Sequence, residues 1–299
     1  MSFGNNKWAY LMILSIIWGS SYILIKKALV GFTPIQLGTI RIVLSTIFLL
    51  AIGYRSLKGI PRHKWGWIAA SAAVGTFFPV FLFSYAETEI DSSVASILNS
   101  LVPLFTILVG FVAFQITFTQ NQLFGVLVGL VGAVLLVFEG ASINPDQNYY
   151  YAGLVLIAGV LYAMNANIIK KYLQDVSPMG IALGNFTVMV IPALIILAFS
   201  GVEKLDVTDE KVMASFGYLC LLAVLGTGIA KVMFNRLIHI STAVFASSVT
   251  YLIPIVGIFW GILDSEKFTW IQCLGSFIIL VGVYLVNKIK RAIQPASSN

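Results

Sequence analysis

The sequence predicts an all-α integral membrane protein of ten transmembrane helices, arranged as two inverted five-helix repeats. Three observations predict it: an extremely apolar composition, ten apolar runs of spanning length, and a residue pattern that recurs at offsets of 144 to 151. Of 299 residues, 59% are hydrophobic and 10% are charged, with a mean hydropathy of +0.95. Soluble domains carry about 25% charged residues, so a chain this apolar is not a water-soluble globule. The net charge of +6 is no nucleic-acid signal, because the basic residues sit in short loops and ends. Cys220 and Cys273 lie within apolar runs and are read as small packing residues, not as a disulfide framework.

A span needs about 20 mostly apolar residues. The first run, Trp8–Ile25, has no strongly basic leader and recurs as Tyr151 to Ile169, so it is expected to be a retained helix. The second is Pro34–Tyr54, after Thr33-Pro34, and the third Trp65–Ala86. The fourth, Ser92–Phe114, holds Pro103, where a kink is expected. The fifth, Gln120–Phe138, carries Gly125, Gly129 and Gly132, a spacing that lets helices approach closely. The sixth is Tyr150–Ile169 and the seventh Pro178–Ser200, after Ser177-Pro178. The eighth, Val212–Asn235, contains Lys231, and the ninth, Ser241–Leu263, contains Pro254. The tenth is Thr269–Asn287.

The halves match residue by residue. Trp18 falls on Tyr162, Lys26-Lys27 on Lys170-Lys171, Gly75-Thr76 on Gly226-Thr227, Pro103 on Pro254, and Gly125 on Gly275. Residues 1–145 form the first repeat and residues 146–299 the second. Orientation follows the basic residues of short loops. A cytoplasmic N-terminus puts Lys7, Arg55, Lys58, Arg62, Lys64, Lys170, Lys171, Arg236, Lys288, Lys290 and Arg291 inside. It leaves Lys26, Lys27, Lys204, Lys211 and Lys267 outside. Both termini are therefore expected on the cytoplasmic side of the cell membrane. Five spans per repeat is an odd number, so the second copy crosses in the opposite sense, a signature of transporters that bind at the repeat interface.

Trp18-Gly19-Ser20-Ser21, followed by Lys26, Pro34 and Arg41, resembles the opening of an EamA-type transporter of the drug/metabolite transporter superfamily. The run Ala246 to Pro254, then Ser265 to Thr269 and Gly275 to Gly282, is similar to that family's closing pattern. The resemblance covers essentially the whole chain. It implies one transport domain, with helices 1–4 and 6–9 around a central cavity and helices 5 and 10 at the periphery. It further implies transport of small metabolites, often amino acids or related compounds, commonly as export. The chain departs from the pattern at Gln115, where an acidic residue is usual and Glu266 keeps it in the second half. Asn185 stands where Arg41 would recur.

Lys231 and Arg41 are charges within spans, and such charges face a bundle interior or water. Lys231 has two readings: an anchor for a substrate carboxylate or phosphate, or a side chain snorkelling to the cytoplasmic surface near Arg236. Arg41 belongs to the family pattern, which favours a structural or gating role. Trp18, Ser21 and Tyr22 share a face of the first helix, and Tyr162 and Asn165 lie at the equivalent place in the sixth. Asn99 and Ser100 precede Pro103, and Thr250 and Tyr251 precede Pro254. Phe81 and Tyr85 share a face of the third. Of these, Trp18, Ser21, Tyr22, Asn99, Tyr162, Asn165 and Tyr251 are the expected cavity lining. Such a set suits an amphipathic or aromatic metabolite.

No Asp or Glu lies deep in any expected span, and His63 and His239 fall in expected cytoplasmic loops, so a uniporter or exchanger is expected. Glu87 is the fallback proton site. No His-Glu-x-x-His motif, phosphate-binding glycine loop or buried carboxylate cluster points to catalysis, so no enzyme, metal or cofactor is expected. The alternatives, a polytopic membrane enzyme, a channel or a non-transporting scaffold, lack any such sign. The partners expected are a small-molecule metabolite and the lipid bilayer, without nucleic acid.

Overall fold

The computed structural model describes residues 6–117, 119–143, 148–264 and 269–287. Glu266, Lys267, Lys288, Lys290 and Arg291 lie outside the described residues. In chain order the helices are α1 (Lys7–Ala28), α2 (Pro34–Gly53), α3 (Trp65–Ala72), α4 (Phe78–Ala86), α5 (Ser92–Asn99), α6 (Val102–Phe114) and α7 (Gln120–Ile143). They continue as α8 (Ala152–Tyr172), α9 (Pro178–Ala198), α10 (Glu210–Leu221), α11 (Ala230–Ile240), α12 (Ala243–Ser247), α13 (Val249–Leu263) and α14 (Trp270–Asn287). Among the described residues there is no strand.

Among the described residues, eight helical stretches are long and apolar enough to cross a membrane: Lys7–Ala28, Pro34–Gly59, Arg62–Ala86, Val94–Phe114, Ala152–Tyr172, Pro178–Ala198, Glu210–Ile240 and Ala243–Leu263. They fall on the first to fourth and sixth to ninth expected spans. The protein is thus a multi-pass, all-helical membrane protein. The remaining expected spans correspond to α7 and α14, which pack along each other. Their glycines bring the backbones together. A Cβ on Gly132 would stand 2.7 Å from the Gly275 carbonyl oxygen, and one on Gly282 would stand 2.6 Å from the Gly129 nitrogen.

The recurring sequence signals are helix starts and helix irregularities. Thr33 and Gln36 form a capping box, with Pro34 at the first helical position. Ser177 caps Gly180 ahead of Pro178 in the same way. Gly75-Thr76 and Gly226-Thr227 mark two π-helical segments, Ala73–Phe77 joining α3 to α4 and Leu222–Ile229 joining α10 to α11. A π-turn widens the helix locally and disturbs its hydrogen-bond ladder.

The fourth and ninth spans are each broken, but not at their prolines alone. The first break, at Ser100 and Leu101, precedes Pro103, which is the second residue of α6. Pro254 lies inside α13, and the second break falls earlier, at Ser248. At both breaks a serine hydroxyl turns back onto its own helix, from Ser100 to the Ile97 carbonyl and from Ser248 to that of Phe245 at 2.7 Å. Such bonds compete with the backbone ladder. His239 departs from the loop expected for it. It lies in the last turn of α11, half-buried, with Nε2 buried and unpartnered, because α11 runs on to Ile240.

Lysines hold the helix ends. Lys26 and Lys27, in the last turn of α1, reach Asp264 just beyond α13 at 2.8 and 2.6 Å. Their repeat counterparts close the C-termini of other helices. Lys170 donates to the carbonyls of Ile238 and Ser241 at 3.1 and 2.5 Å, and Lys171 to that of Phe114 at 2.7 Å. Lys64 adds a bond to the Tyr172 carbonyl at 2.7 Å and an ion pair with Asp175 at 3.0 Å.

Candidate functional site

A cavity of about 100 Å³ opens between the helices of the two halves, lined by residues of α1, α2, α4, α5, α6, α8, α11, α12, α13 and both π-segments. A single water takes roughly 10–15 Å³ on this measure, so the space suits a small solute. The sequence-predicted residues Trp18, Ser21, Tyr22, Arg41, Asn99, Tyr162, Asn165 and Lys231 all line it.

The π-segments place the polar groups. The Gly226 carbonyl accepts from Trp18 Nε1 at 3.0 Å, and the Gly75 carbonyl accepts from Lys231 Nζ at 2.6 Å. The two glycines are repeat counterparts, so each widened turn presents one carbonyl to the cavity. Tyr162 stands where Trp18 recurs and has no N–H to give, and Lys231 serves Gly75 instead. The glycines also admit a neighbour each. A Cβ on Gly226 would meet the Ser21 hydroxyl at 2.6 Å, and one on Gly75 would meet the amide of Asn165. Asn165 is the repeat counterpart of Ser21, so the contacts exchange between halves.

Lys231 is only 7% exposed, which removes the snorkelling reading. Its ammonium stays inside because the freed Gly75 carbonyl offers an acceptor at cavity depth. Arg41 is also buried, and its Nε donates to Thr227 Oγ1 at 2.5 Å. Lys231 lies four residues beyond Thr227, about one helical turn along. Two cations thus line the same cavity, and among the described residues neither has a carboxylate within ion-pair distance. Among the described residues no Asp or Glu lines the cavity.

In the second half Asn185 occupies the place of Arg41, but its amide reaches the Ser71 hydroxyl at 3.2 Å. The same hydroxyl donates to Asn165 at 2.7 Å. The shorter amide therefore leaves Thr76, counterpart of Thr227, without a hydrogen-bond partner. Asn99 Oδ1 is likewise buried and unpartnered, and both residues line the cavity.

Aromatic rings form the apolar walls. Trp18 packs on Phe234 with centroids 5.1 Å apart, and its counterpart Tyr162 stacks with Phe83 at 6.0 Å. Phe83 also meets Tyr22 edge-on at 5.9 Å. Sequence reasoning missed Phe83, Phe234, Thr76 and Thr227 as lining residues. The signal was present, since Phe83 recurs as Phe234 at the same offset of 151 that relates the two threonines.

Two predicted residues lie elsewhere. Tyr251 is 1% exposed and packs against Gly129 of α7, outside the cavity, with its hydroxyl unpartnered. Thr250, the repeat counterpart of Asn99, lines the cavity in its place. One residue along a helix turns a side chain by about 100°, which carries Tyr251 to the far face. Glu87 follows α4 and does not line the cavity. It is buried, accepting from Ser92 at 3.3 Å through Oε2 while Oε1 has no partner. Burial pushes its carboxyl well above the usual carboxylate range, against the Ser92 hydrogen bond and the charges of Arg41 and Lys26. Of the other two aromatics, Tyr85 is exposed, and Phe81 packs against Gly38 of α2.

Comparison with known proteins follows from this geometry. The family described as the EamA-like transporter family matches at residues 6–138 and again at 150–288. The chain is 26% identical over 286 residues to a protein of Archaeoglobus fulgidus named "Uncharacterized transporter", covering 94% of this chain and 98% of that one. It is 26% identical over 281 residues to the "Uncharacterized inner membrane transporter YedA" of Escherichia coli (strain K12), covering 92% and 89%. It is 24% identical over 286 residues to the "Probable amino-acid metabolite efflux pump" of Salmonella typhimurium, covering 92% of each chain. A solved crystal structure shares the fold with a TM-score of 0.69 at 14% identity, covering 93% of this chain and 94% of that one.

Proposed function

Because the chain belongs to the EamA-like transporter family, we propose that it carries small organic metabolites, amino acids or related compounds, outward across the cytoplasmic membrane. It does so by alternating access around the cavity, as ten helices in two inverted halves, residues 1–145 and 146–299. The observation that carries this reading is the cavity itself, built where the halves meet, with Arg41 from one and Lys231 from the other. The family's double match supports the division into halves.

Contacts at the helix ends support inversion. Trp8, at the start of α1, packs on Phe245 with centroids 5.4 Å apart. Lys170, at the end of α8, reaches Ser241, four residues before Phe245. The start of α1 and the end of its repeat counterpart therefore share one end of the bundle. Lys26 and Lys27 grip Asp264 at the other end of α1. The name of the Salmonella relative supports both the solute class and the direction. The excess of basic residues in alternate loops supports cytoplasmic termini.

In this reading Arg41 and Lys231 hold the solute's acid group, while Trp18, Tyr22 and Tyr162 contact its apolar part. Ser21, Asn99 and Asn165 supply orienting hydrogen bonds. Among the described residues no carboxylate or histidine lines the cavity, which supports facilitated or exchanging transport, with Glu87 as the fallback proton site. Uptake of labelled amino acids and organic acids into proteoliposomes tests this, with and without a pH gradient. The expected result is saturable flux, indifferent to the gradient and lost in Lys231→Ala. Absence of flux for every solute overturns it.

A further inference from the structure

Resting on the transport reading, we propose that the cavity selects short dicarboxylates, acidic amino acids included, over neutral amino acids and monocarboxylates. The carrying observation is the charge of the walls. Arg41 and Lys231 are both buried, both line the cavity, and among the described residues no Asp or Glu lines it with them. Each keeps donors to spare, since one guanidinium N–H goes to Thr227 and one ammonium proton to Gly75. The guanidinium fork that remains matches a carboxylate in two-point geometry, and the ammonium protons that remain suit a second one.

A neutral amino acid brings one negative and one positive charge, so the walls keep their full excess of positive charge. A monocarboxylate neutralises one cation and leaves the other buried and unpaired, which is the costly arrangement. A dicarboxylate answers both. Both anchor points open onto the same cavity of about 100 Å³, a space that limits the diacid to a short chain between its carboxylates. The unpartnered oxygens of Asn99 and Thr76, which line the same cavity, offer acceptors for a donor. An amino or hydroxyl group on the linking chain supplies that donor, which is why acidic amino acids and hydroxy diacids fall within the class.

The test is binding to the purified full chain, read by titration calorimetry without flux, using succinate, propionate, L-aspartate and L-alanine as probes. The expected result is that each diacid binds at least about tenfold more tightly than its monoacid counterpart, the value of one charge-assisted hydrogen bond. Lys231→Gln is expected to abolish this preference, and Lys231→Arg, which keeps the charge, to retain it. Equal binding of L-alanine and L-aspartate overturns the proposal, as does a preference that survives in Lys231→Gln. The two readings fail separately. Flux of neutral amino acids alone keeps the transport reading and overturns this one. Diacid binding without flux of any solute does the reverse.

Discussion

At the scale of residues, the cavity depends on a few buried polar groups whose partners cross between the halves. Lys231 is a charge held inside by one carbonyl, with no counter-ion among the described residues. Replacing a buried charge with an apolar side chain of similar volume is often neutral or stabilising. Against that, Lys231→Met leaves the Gly75 carbonyl unpaired, a penalty of about 1–3 kcal/mol. The expected net loss of stability is at most about 1 kcal/mol, measured by thermal unfolding in detergent, while solute uptake is lost. A loss of several kcal/mol would make Lys231 a structural residue instead. Asp264 is the opposite case, a carboxylate near the surface. Hydrogen bonds from Lys26 and then Lys27 hold its carboxyl below the usual range. A depressed folded value stabilises above the unfolded value of about 4, and the gain is lost as pH falls through the folded value. Asp264→Asn should therefore melt below the native chain at neutral pH, by the modest amount of a partly exposed ion pair. The two melting curves should converge below about pH 4. A gap that persists in acid would assign the effect to packing.

At the scale of elements, glycine decides where helices touch. Gly129, Gly132, Gly275 and Gly282 let α7 and α14 meet backbone to backbone. In Gly282→Ala the new Cβ would stand 2.7 Å from the Gly125 carbonyl oxygen and from Gly129 Cα. Those atoms cannot yield as a flexible side chain would, so overpacking should cost about 1–3 kcal/mol. Thermal unfolding checks this, and an unchanged midpoint would show that the pair can slide apart freely. The same residue type acts differently in the π-segments, where Gly75 and Gly226 admit Asn165 and Ser21 and turn a carbonyl toward the cavity. Sequence pattern located both kinds of glycine but not their difference. Gly125 to Gly132 read as packing by spacing, whereas nothing in Gly75-Thr76 announces a π-turn.

At the scale of the whole molecule, lysine pairs that recur in sequence close the helix ends, with Lys26, Lys27 and Lys171 reaching from one half to the other and Lys170 staying within its own. Lys26 and Lys27 grip a carboxylate, while Lys170 and Lys171 grip backbone carbonyls. Alternating access requires these ends to part in turn. In a Cys220→Ser, Cys273→Ser background, joining Lys27→Cys to Asp264→Cys with a bis-maleimide that carries a reducible disulfide in its spacer should block flux, and reduction should restore it. Flux that continues through the cross-linked chain would exclude movement at that end. The sequence alone determined the solvent, eight apolar helices among the ten spans it predicted, and the offsets at which the halves correspond, because these follow from composition, run length and recurrence. It also found eight of the residues that line the cavity, through polar character at matched positions. Only the tertiary structure decided which face of each helix looks inward. A helix in lipid is apolar toward its neighbours and toward the bilayer alike, so no polar stripe marks its outer side as it would in water. For that reason Tyr251 and Thr250 could not be told apart in the sequence, nor could the two readings of Lys231. The first pair is separated by the turn between adjacent residues, and the second by a carbonyl contributed from 156 residues away.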